Sequence, residues 1–190
     1  MMVKETAIPG AYIITNTPFV DERGSFSRIF CKREFEAIGL SVSVAQISLS
    51  TNAMKGTLRG LHFQKNDSAE DKLIACVSGS VFDVCVDVRE YSPTFGKWVG
   101  ETLSSENGVA IYVPKGCAHG YLTLQDDCKL TYFVTEFYQP GEASGYMYND
   151  PFFSIEWPIK EPYIISKQDS CWGYIDNNFK GASSYGQHEL

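Results

Sequence analysis

Near its middle the chain reads Val81-Phe82-Asp83-Val84-Cys85-Val86-Asp87-Val88, with apolar and polar residues in alternation. Successive side chains of a β-strand point to opposite faces of the sheet. The pattern therefore places Phe82 and the even-numbered valines on one face, and Asp83, Cys85 and Asp87 on the other. We predict that this stretch is a strand in a sheet that has one polar face, on either the inner or the outer side of the fold.

Similar strand-like segments run through most of the chain and are separated by turn signals such as Ser78-Gly79 and Ser92-Pro93. One helix is predicted early, over residues 32–38, and Gly39 is well placed to end it. Many short strands with a single early helix favour an all-β fold, a cupin-like double-sheet jelly roll with a short N-terminal helix and a few C-terminal helical turns. The predicted strands lie near residues 44–50, 57–64, 72–77, 81–88, 97–103, 109–113 and 128–138.

The length of the chain fits one ordinary domain with its own core. It has 190 residues, and single domains usually contain about 100–200. We expect one jelly-roll domain over residues 1–176. Residues 177–190 are rich in Gly and polar side chains, which predicts a flexible C-terminal tail.

Composition and charge exclude several classes of protein. No apolar run approaches the roughly 20 residues of a membrane helix, and the first ten residues lack the apolar stretch of a secretory signal. The net charge is −7 and the 16 Lys and Arg residues are dispersed, so no nucleic-acid partner is expected. The six cysteines form no C-x-x-C pair, which favours reduced thiols in a cytoplasmic protein.

The histidines limit the chemistry of a jelly roll. Three are present, and His188 lies in the predicted tail, which leaves His62 and His119. A metal-binding cupin needs two histidines two residues apart and a nearby glutamate. Gln64 stands at the position of the second histidine, so too few ligands remain. We expect no metal, and the absence of a Gly-rich dinucleotide loop predicts no other cofactor.

Arg59 lies three residues before His62, and in a regular strand the two side chains would face opposite ways. Gly60 between them is a suitable position for a β-bulge that turns one of them to the other face. Taken alone, His62 is equally consistent with an ordinary buried histidine. Arg59 alone is more typical of a solvated surface charge.

Several ordered motifs occur at consistent spacing between about Gly10 and Asp169. They are Gly56 to Gln64, Lys72-Leu73-Ile74, Ser78 to Val84, Ser92 to Trp98, Pro114 to Tyr121, and Asn149-Asp150-Pro151 through Trp157-Pro158. Together these motifs resemble the dTDP-4-dehydrorhamnose 3,5-epimerase family. This resemblance implies a jelly roll, a homodimer, and a nucleoside-diphosphate 4-keto-6-deoxyhexose as substrate.

The resemblance implies four catalytic residues. His62 matches the family's base, and Asp169 matches the carboxylate that holds that imidazole. Tyr132 matches the tyrosine that returns a proton from the opposite face, and Lys72 matches the lysine beside the sugar ketone. Each has an ordinary structural explanation when it is taken singly, for example a packed aromatic for Tyr132.

The resemblance also implies residues that bind the substrate. Arg23 and Arg59 match contacts to the diphosphate, and His119 matches a second histidine that contacts the ligand. The remaining expected contacts with substrate or nucleotide are Phe26, Arg28, Gln46, Ser48, Tyr138 and Glu142.

The chemistry explains why these residue types belong together. Hydrogen on carbon beside a ketone is too weakly acidic to leave unless the enolate oxygen is stabilised, which Lys72 can do in a cavity poor in water. Histidine has a pKa near neutrality and suits the base, with Asp169 to orient it. Inversion then needs an acid on the other face of the ring, a role that the phenol of Tyr132 can fill.

The chain departs from the family at positions that the resemblance assigns to the nucleotide side of the pocket. Our hypothesis is that the reaction is kept while the nucleotide or the sugar differs from the thymidine-linked rhamnose precursor. Glu142 and Lys167 each lie one residue from a lost group. Arg28, Ser48, Ala143 and Gln168 replace the family's usual Glu, Asn, Glu and Lys, and Tyr148 replaces a Trp.

Two other functions use the same fold. A sugar 3,4-ketoisomerase would move the ketone instead of inverting a carbon, and a sugar-binding jelly roll would catalyse nothing. The presence of both His62 and Tyr132 favours epimerisation. The sequence leaves open whether C3, C5 or both carbons are inverted.

Overall fold

Two antiparallel β-sheets pack face to face and form the body of the protein. The structure, a computed structural model, describes residues 1–40, 43–161 and 163–176, so the predicted tail at 177–190 lies outside the described residues. In chain order the strands are β1 (Met2–Glu5), β2 (Tyr12–Thr15), β3 (Phe19–Asp21), β4 (Gly24–Phe26), β5 (Gln46–Asn52), β6 (Thr57–Gln64), β7 (Lys72–Ser78), β8 (Ser80–Asp87), β9 (Trp98–Ser104), β10 (Val109–Val113), β11 (Cys117–Thr123), β12 (Cys128–Val134), β13 (Ala143–Gly145) and β14 (Ile164–Ile165).

The first sheet has the strand order β1-β2-β10-β7-β12-β5, and the second has the order β13-β6-β11-β8-β9. Strand β14 adds to β6 in parallel, and β3 with β4 forms a separate hairpin. Many of the connections cross from one sheet to the other, as in a double-sheet jelly roll. The predicted all-β architecture is confirmed.

Strand β8 shows which side of the second sheet is polar. Val81 and Cys85 belong to the apolar cluster between the two sheets, and Asp83 shares their face. Val84, Val86 and Val88 pack on the outer side, against residues that include Phe153 and Trp157 of the C-terminal segment. The polar face of the alternating stretch is therefore the inner one, which brings charged groups inside the sandwich.

The predicted helix is present but shorter than expected. Helix α1 spans Lys32–Glu36, and Ile38 lies outside it and is exposed. Gly39 has φ +75°, and the N–H of Leu40 donates to the carbonyl of Phe35 at 3.0 Å, which closes the helix as expected for a C-terminal glycine. Phe35 is buried against the outer face of the first sheet and fixes the helix there.

Several strands were not predicted from the sequence. Strands β1 to β4 precede the helix, and β11 lies in the centre of the second sheet with every residue buried. A strand that is buried on both faces shows no alternation, and Gly116 and Gly120 resemble turn signals. Two short 3₁₀ turns occur at Asn66–Ser68 and Asp169–Cys171. Within the described ranges, no helix is long and apolar enough to cross a membrane.

Strand β6 contains the predicted bulge at Gly60. His119 of β11 pairs with His62, and Tyr121 of β11 pairs with Arg59. Between these two pairs the chain advances by three residues in β6 but by only two in β11, so β6 contains one extra residue. The extra residue turns Arg59 and His62 toward the same side. Gly60 has φ +119°, and a Cβ there would lie 2.6 Å from the Cα of Gly120. Glycine is thus required both by the backbone conformation and by the close approach of β11.

Replacement of Gly60 should be costly for this reason. We expect Gly60→Ala to lower the free energy of unfolding by about 2–4 kcal/mol, because the methyl group meets backbone atoms and the φ value is strained. Urea denaturation measures the change. Gly141→Ala is the control, since a Cβ at Gly141 meets nothing within 4 Å. Equal stability of the two variants would contradict this view of the bulge.

Candidate active site

A cavity of about 250 Å³ lies between the two sheets. Strands β5, β7 and β12 of the first sheet and β6 and β11 of the second contribute its lining, so both sheets face into it. Six of the thirteen residues predicted for the site are among those that line it. The lining residues are Ser48, Leu49, Ser50, Arg59, His62, Lys72, His119, Tyr121 and Tyr132.

His62 and Asp169 form a hydrogen-bonded pair at the wall of the cavity. The Nε2 atom of His62 lies 2.7 Å from Oδ1 of Asp169, and their side chains are 39% and 6% exposed. The other carboxylate oxygen accepts a hydrogen bond from the N–H of Gly60 at 3.3 Å. The imidazole is therefore held at one nitrogen while part of the ring stays open to the cavity.

The environment of Asp169 keeps its carboxylate ionised. Burial acts to raise the pKa of Asp169, but hydrogen bonds and the charge of His62 outweigh it, and the pKa lies below its ordinary value. The backbone N–H of Asp169 donates to Oγ of Ser166 at 3.0 Å, which anchors the 3₁₀ turn that carries the acid. Trp172 packs edge-on against the ring of His62, with ring centroids 6.1 Å apart.

A second histidine–carboxylate pair lies deeper in the sandwich. The Nε2 atom of His119 is 2.9 Å from both oxygens of Asp83, and both side chains are buried. Burial raises the pKa of Asp83, and the neighbouring His119 opposes that shift. The sequence pattern placed Asp83 on a polar face, but nothing in it identified His119 as the partner.

Tyr132 presents a neutral phenol to the same cavity. Burial is the largest cause that raises the pKa of Tyr132 well above its ordinary value of 10, and Tyr121 and Asp83 add to the shift. Its ring packs edge-on against His119, with centroids 5.8 Å apart. A phenol that stays protonated at neutral pH is suited to donate a proton.

Lys72 is buried and oriented by two oxygen atoms. Its Nζ lies 3.2 Å from Oε1 of Glu70, both side chains being 10% exposed, and it donates to the carbonyl of His62 at 3.4 Å. Glu70 also accepts a hydrogen bond from Nε2 of Gln64 at 2.8 Å. The ammonium group is thus fixed beside His62 instead of moving freely in solvent.

Arg59 is fixed through a single nitrogen atom. Its Nε donates to Oδ1 of Asn52 at 2.9 Å, and Asn52 is buried at the end of β5. Through that bond Asn52 orients a guanidinium group that borders the cavity. Arginine binds phosphate oxygens with two nitrogens at once, and this placement is suited to such a contact.

Four other predicted contact residues, Gln46, Tyr138, Glu142 and Arg28, are not among those that line the cavity. Oε1 of Gln46 accepts a hydrogen bond from the N–H of Tyr138 at 2.8 Å, which joins the start of β5 to the segment after β12. Glu142 accepts a bond from Asn66 at 2.7 Å on the surface. Arg28 forms an exposed ion pair of 3.4 Å with Glu34.

Arg23 and Phe26 are separated from the cavity. They belong to the β3–β4 hairpin and line a cleft that has no residue in common with the cavity around His62. Arg23 forms an exposed ion pair with Asp21 at 2.5 Å. Phe26 is exposed, as are Phe19 and Val20 on the same hairpin.

No cluster of three His, Cys, Asp or Glu side chains that could hold a metal ion occurs among the described residues. Gln64, which stands where a metal cupin has its second histidine, has a structural role. Its Nε2 donates to the carbonyl of Ser68 at 2.9 Å, and its Oε1 accepts from the N–H of Gln139 at 2.7 Å.

The sequence alone assigns no role to five residues of the site, which are Asn52, Glu70, Asp83, Tyr121 and Trp172.

Comparison with known proteins shows which family the chain belongs to. A profile of the dTDP-4-dehydrorhamnose 3,5-epimerase family matches residues 5–177. The chain belongs to this family. The curated dTDP-4-dehydrorhamnose 3,5-epimerase of Shigella flexneri is 41% identical over 180 residues, which cover 94% of this chain and 99% of that protein.

Solved structures agree with this assignment. The epimerase from Legionella pneumophila in complex with dTDP-4-keto-L-rhamnose has a TM-score of 0.89 and 35% identity, covering 97% of this chain and 99% of that one. A 3′-monoepimerase from Streptomyces bikiniensis in complex with dTDP-quinovose has a TM-score of 0.84 and 31% identity, covering 89% and 85%. The predicted family, jelly-roll fold and isomerase class are confirmed.

The His62–Asp169 pair makes a testable contribution to stability. The pKa of Asp169 is lower in the folded chain than its ordinary value of 3.8, so the ionised acid stabilises the fold above that pH. The stabilisation is lost as the pH falls through the folded value. We expect Asp169→Asn to be less stable than wild type at pH 7 and the difference to shrink toward pH 3, as measured by denaturant unfolding.

The exposed Asp67 is the matched control, and Asp67→Asn should follow the wild-type profile at every pH. A difference between Asp169→Asn and wild type that stays constant from pH 7 to pH 3 would contradict the assigned ionisation.

Proposed function

We propose that the cavity epimerises the 4-keto sugar of a nucleoside diphosphate by removing a proton on one face of the ring and returning one on the other. The observation that supports this proposal is that a histidine and a tyrosine lie on facing sheets around one cavity. His62 belongs to β6 of the second sheet and Tyr132 to β12 of the first, and both line one cavity. A sugar ring between them presents opposite faces to the two groups.

In this mechanism His62 takes the hydrogen of the carbon next to the ketone. Asp169 holds the imidazole and stabilises its protonated form, as a carboxylate does for a catalytic histidine. The electron pair of the broken C–H bond moves to the ketone oxygen, where the ammonium of Lys72 stabilises the enolate. Tyr132 then protonates the carbon from the other face, which inverts it.

The rest of the substrate is assigned to polar groups around the cavity. Arg59 is proposed to bind the diphosphate, because Asn52 holds its Nε and leaves the rest of the guanidinium beside the cavity. His119 is proposed to contact the sugar, since Asp83 holds one nitrogen and the ring borders the cavity. Gln46, Ser48, Tyr138 and Glu142 are proposed as contacts to the nucleotide.

We further propose that the nucleotide or the sugar differs from the thymidine-linked rhamnose precursor. Arg28 introduces a positive charge and Ser48 a shorter side chain where the resemblance places nucleotide contacts. Ala143 and Gln168 each lack the charge usual at their positions. Arg28 and Ala143 are not among the residues that line the cavity, whereas Ser48 lines it and Gln168 directly precedes Asp169.

The active form is proposed to be a homodimer in which the β3–β4 hairpin serves the neighbouring copy. Arg23 and Phe26 are predicted to bind substrate, yet they line a cleft apart from the cavity of their own chain. Phe19, Val20 and Phe26 expose apolar surface on this small hairpin, and such surface typically marks an interaction site. A second copy of the chain would bury it and bring Arg23 to its cavity.

The compartment is proposed to be the cytoplasm. All six cysteines are free thiols and four of them are buried, at positions 76, 85, 117 and 128. Unpaired cysteines are typical of proteins kept in a reducing environment.

The reaction can be tested in D2O with 4-keto-6-deoxyhexoses carried on dTDP, CDP, GDP and UDP. We expect deuterium at C3 or C5 with inversion, because Tyr132 exchanges its proton with solvent between turnovers. His62→Ala should lower the rate by about 10²–10⁴, the usual contribution of a general base. Mass spectrometry and NMR of the product measure both.

The alternatives give different products in the same assay. A carbonyl shifted to C3 would indicate a ketoisomerase, and binding without exchange on any carrier would indicate a sugar-binding protein. A clear preference for the dTDP sugar would contradict the proposed change of nucleotide. Full turnover by His62→Ala would remove His62 from the role of base.

The dimer can be tested by mixing two inactive variants, Arg23→Ala and His62→Ala. If the hairpin acts in the partner, each mixed dimer has one intact site, and random exchange of subunits should restore about a quarter of wild-type activity. Sedimentation velocity confirms that the subunits have exchanged. Absence of recovery in exchanged dimers would show that Arg23 acts in its own chain or not at all.

A further inference from the structure

The indole of Trp172 belongs to the site but is not used by the mechanism above. Trp172 directly follows the 3₁₀ turn Asp169–Cys171, so one short segment carries both the indole and the carboxylate that holds His62. The indole packs edge-on against the imidazole, with ring centroids 6.1 Å apart and an angle of 69° between the planes. The imidazole is therefore contacted at two places, at Nε2 by the carboxylate and on the ring by the indole.

A glycine on the neighbouring strand leaves the space that the indole fills. Gly145 of β13 pairs with His62 of β6. Residues that are paired directly across two antiparallel strands have their side chains on the same face of the sheet. A Cβ at Gly145 would lie 2.7 Å from Cε2 of Trp172 and 2.3 Å from the carbonyl oxygen of Leu61. The indole thus takes the place of a side chain at position 145, beside the imidazole.

Hydrogen bonds hold the segment that follows Trp172 against the chain beyond β13. The N–H of Met147 donates to the carbonyl of Gly173 at 3.1 Å. The N–H of Ile175 donates to Oδ2 of Asp150 at 2.6 Å, and Asp150 is 2% exposed. The backbone on both sides of Trp172 is therefore attached to the fold, since the turn before it is anchored by Ser166.

Packing, and not a polar contact, places the indole. Its Nε1 is buried and has no hydrogen-bond partner among the residues that the structure describes. A buried donor without an acceptor is unfavourable, and a smaller apolar side chain would not carry one. The contacts of the ring with Gly145 and His62 are what a tryptophan supplies at this position.

The imidazole needs a second contact if it is to act as a base in a fixed direction. The χ2 torsion of histidine is broad, and one hydrogen bond at Nε2 leaves the plane of the ring free to turn. Asp169 occupies Nε2, so the other ring nitrogen, Nδ1, remains for the substrate. Displacement of a reacting group by about 1 Å can cost about 10²-fold in rate, so the angle of the ring matters.

We propose that Trp172 is a positioning residue that fixes the plane of the His62 ring and so aligns its free nitrogen with the C–H bond of the sugar. The inference rests on the proposed function, since it requires His62 to be the base. Trp172 is not among the residues that line the cavity. It therefore acts through the imidazole and not through contact with the substrate.

The proposal is tested first by kinetics. Trp172→Leu keeps an apolar side chain but removes the aromatic edge, and kcat should fall about 10- to 100-fold because the base is misaligned. KM should stay within about twofold, since no group of the cavity lining is changed. Trp172→Phe restores an aromatic ring and should recover kcat to within about threefold of wild type. The D2O assay with the preferred substrate measures all three values.

A double-mutant cycle separates positioning from a general structural effect. In the background of His62→Ala, Trp172→Leu should cause no further loss of rate, because no imidazole is left to align. Trp157→Leu is the matched control. Trp157 packs against Phe82 on the outer side of the second sheet and does not line the cavity, so kcat of this variant should equal that of wild type. Urea denaturation checks that each variant is folded.

NMR of the protein without substrate tests the contact independently of any activity. The ring current of the indole shifts the carbon-bound protons of the neighbouring imidazole, and His62→Ala identifies their signals. These signals should move in Trp172→Leu and stay in place in Trp157→Leu.

Unmoved His62 signals in Trp172→Leu would contradict the contact. A rise in KM at unchanged kcat, or an equal loss of rate with and without His62, would overturn the positioning role. If the wild type neither exchanges nor inverts any substrate while the His62 signals still move in Trp172→Leu, the proposed function fails and the contact stands.

Discussion

Charged side chains inside an apolar sandwich must be paired, and this constraint organises the whole site. A carboxylate without partners in such a place would cost several kcal/mol. Asp83 meets the requirement through His119, Asp169 through His62, and Glu70 through Lys72. Each pair joins an acid to a group that the proposed chemistry needs. The same contacts that offset the cost of burying these charges therefore fix two imidazoles and an ammonium group around one cavity.

The bulge at Gly60 makes this arrangement compatible with a regular sheet. Without the extra residue, Arg59 and His62 would lie on opposite faces of β6, one in the cavity and the other outside. The bulge also brings the N–H of Gly60 to the carboxylate of Asp169 at 3.3 Å. One irregularity in the backbone thus turns two side chains inward and supplies a hydrogen bond to the carboxylate that holds the imidazole of His62.

The sequence predicted the fold class and most of the central strands because residues 81–88 and their neighbours alternate clearly. It did not predict β11, since a strand buried on both faces has no alternation, and glycines at positions 116 and 120 resemble turns. Family motifs identified His62, Lys72 and Tyr132, which do share a cavity. Asn52, Glu70 and Asp83 were missed because their roles depend on contacts between strands, and a single sequence does not state which strands are neighbours.

The residues around His62 and the proposed nucleotide contacts differ in how strongly each side chain depends on its neighbours. Around His62 and Lys72 the side chains hold one another through hydrogen bonds and ion pairs, so a change at one position disturbs several partners. Arg28 and Glu142 lie at the surface, and each has an exposed polar contact. Substitutions there cost little stability, because solvent replaces whatever contact is lost. The residues that we propose as nucleotide contacts can therefore change while the buried pairs around His62 and Lys72 stay as they are.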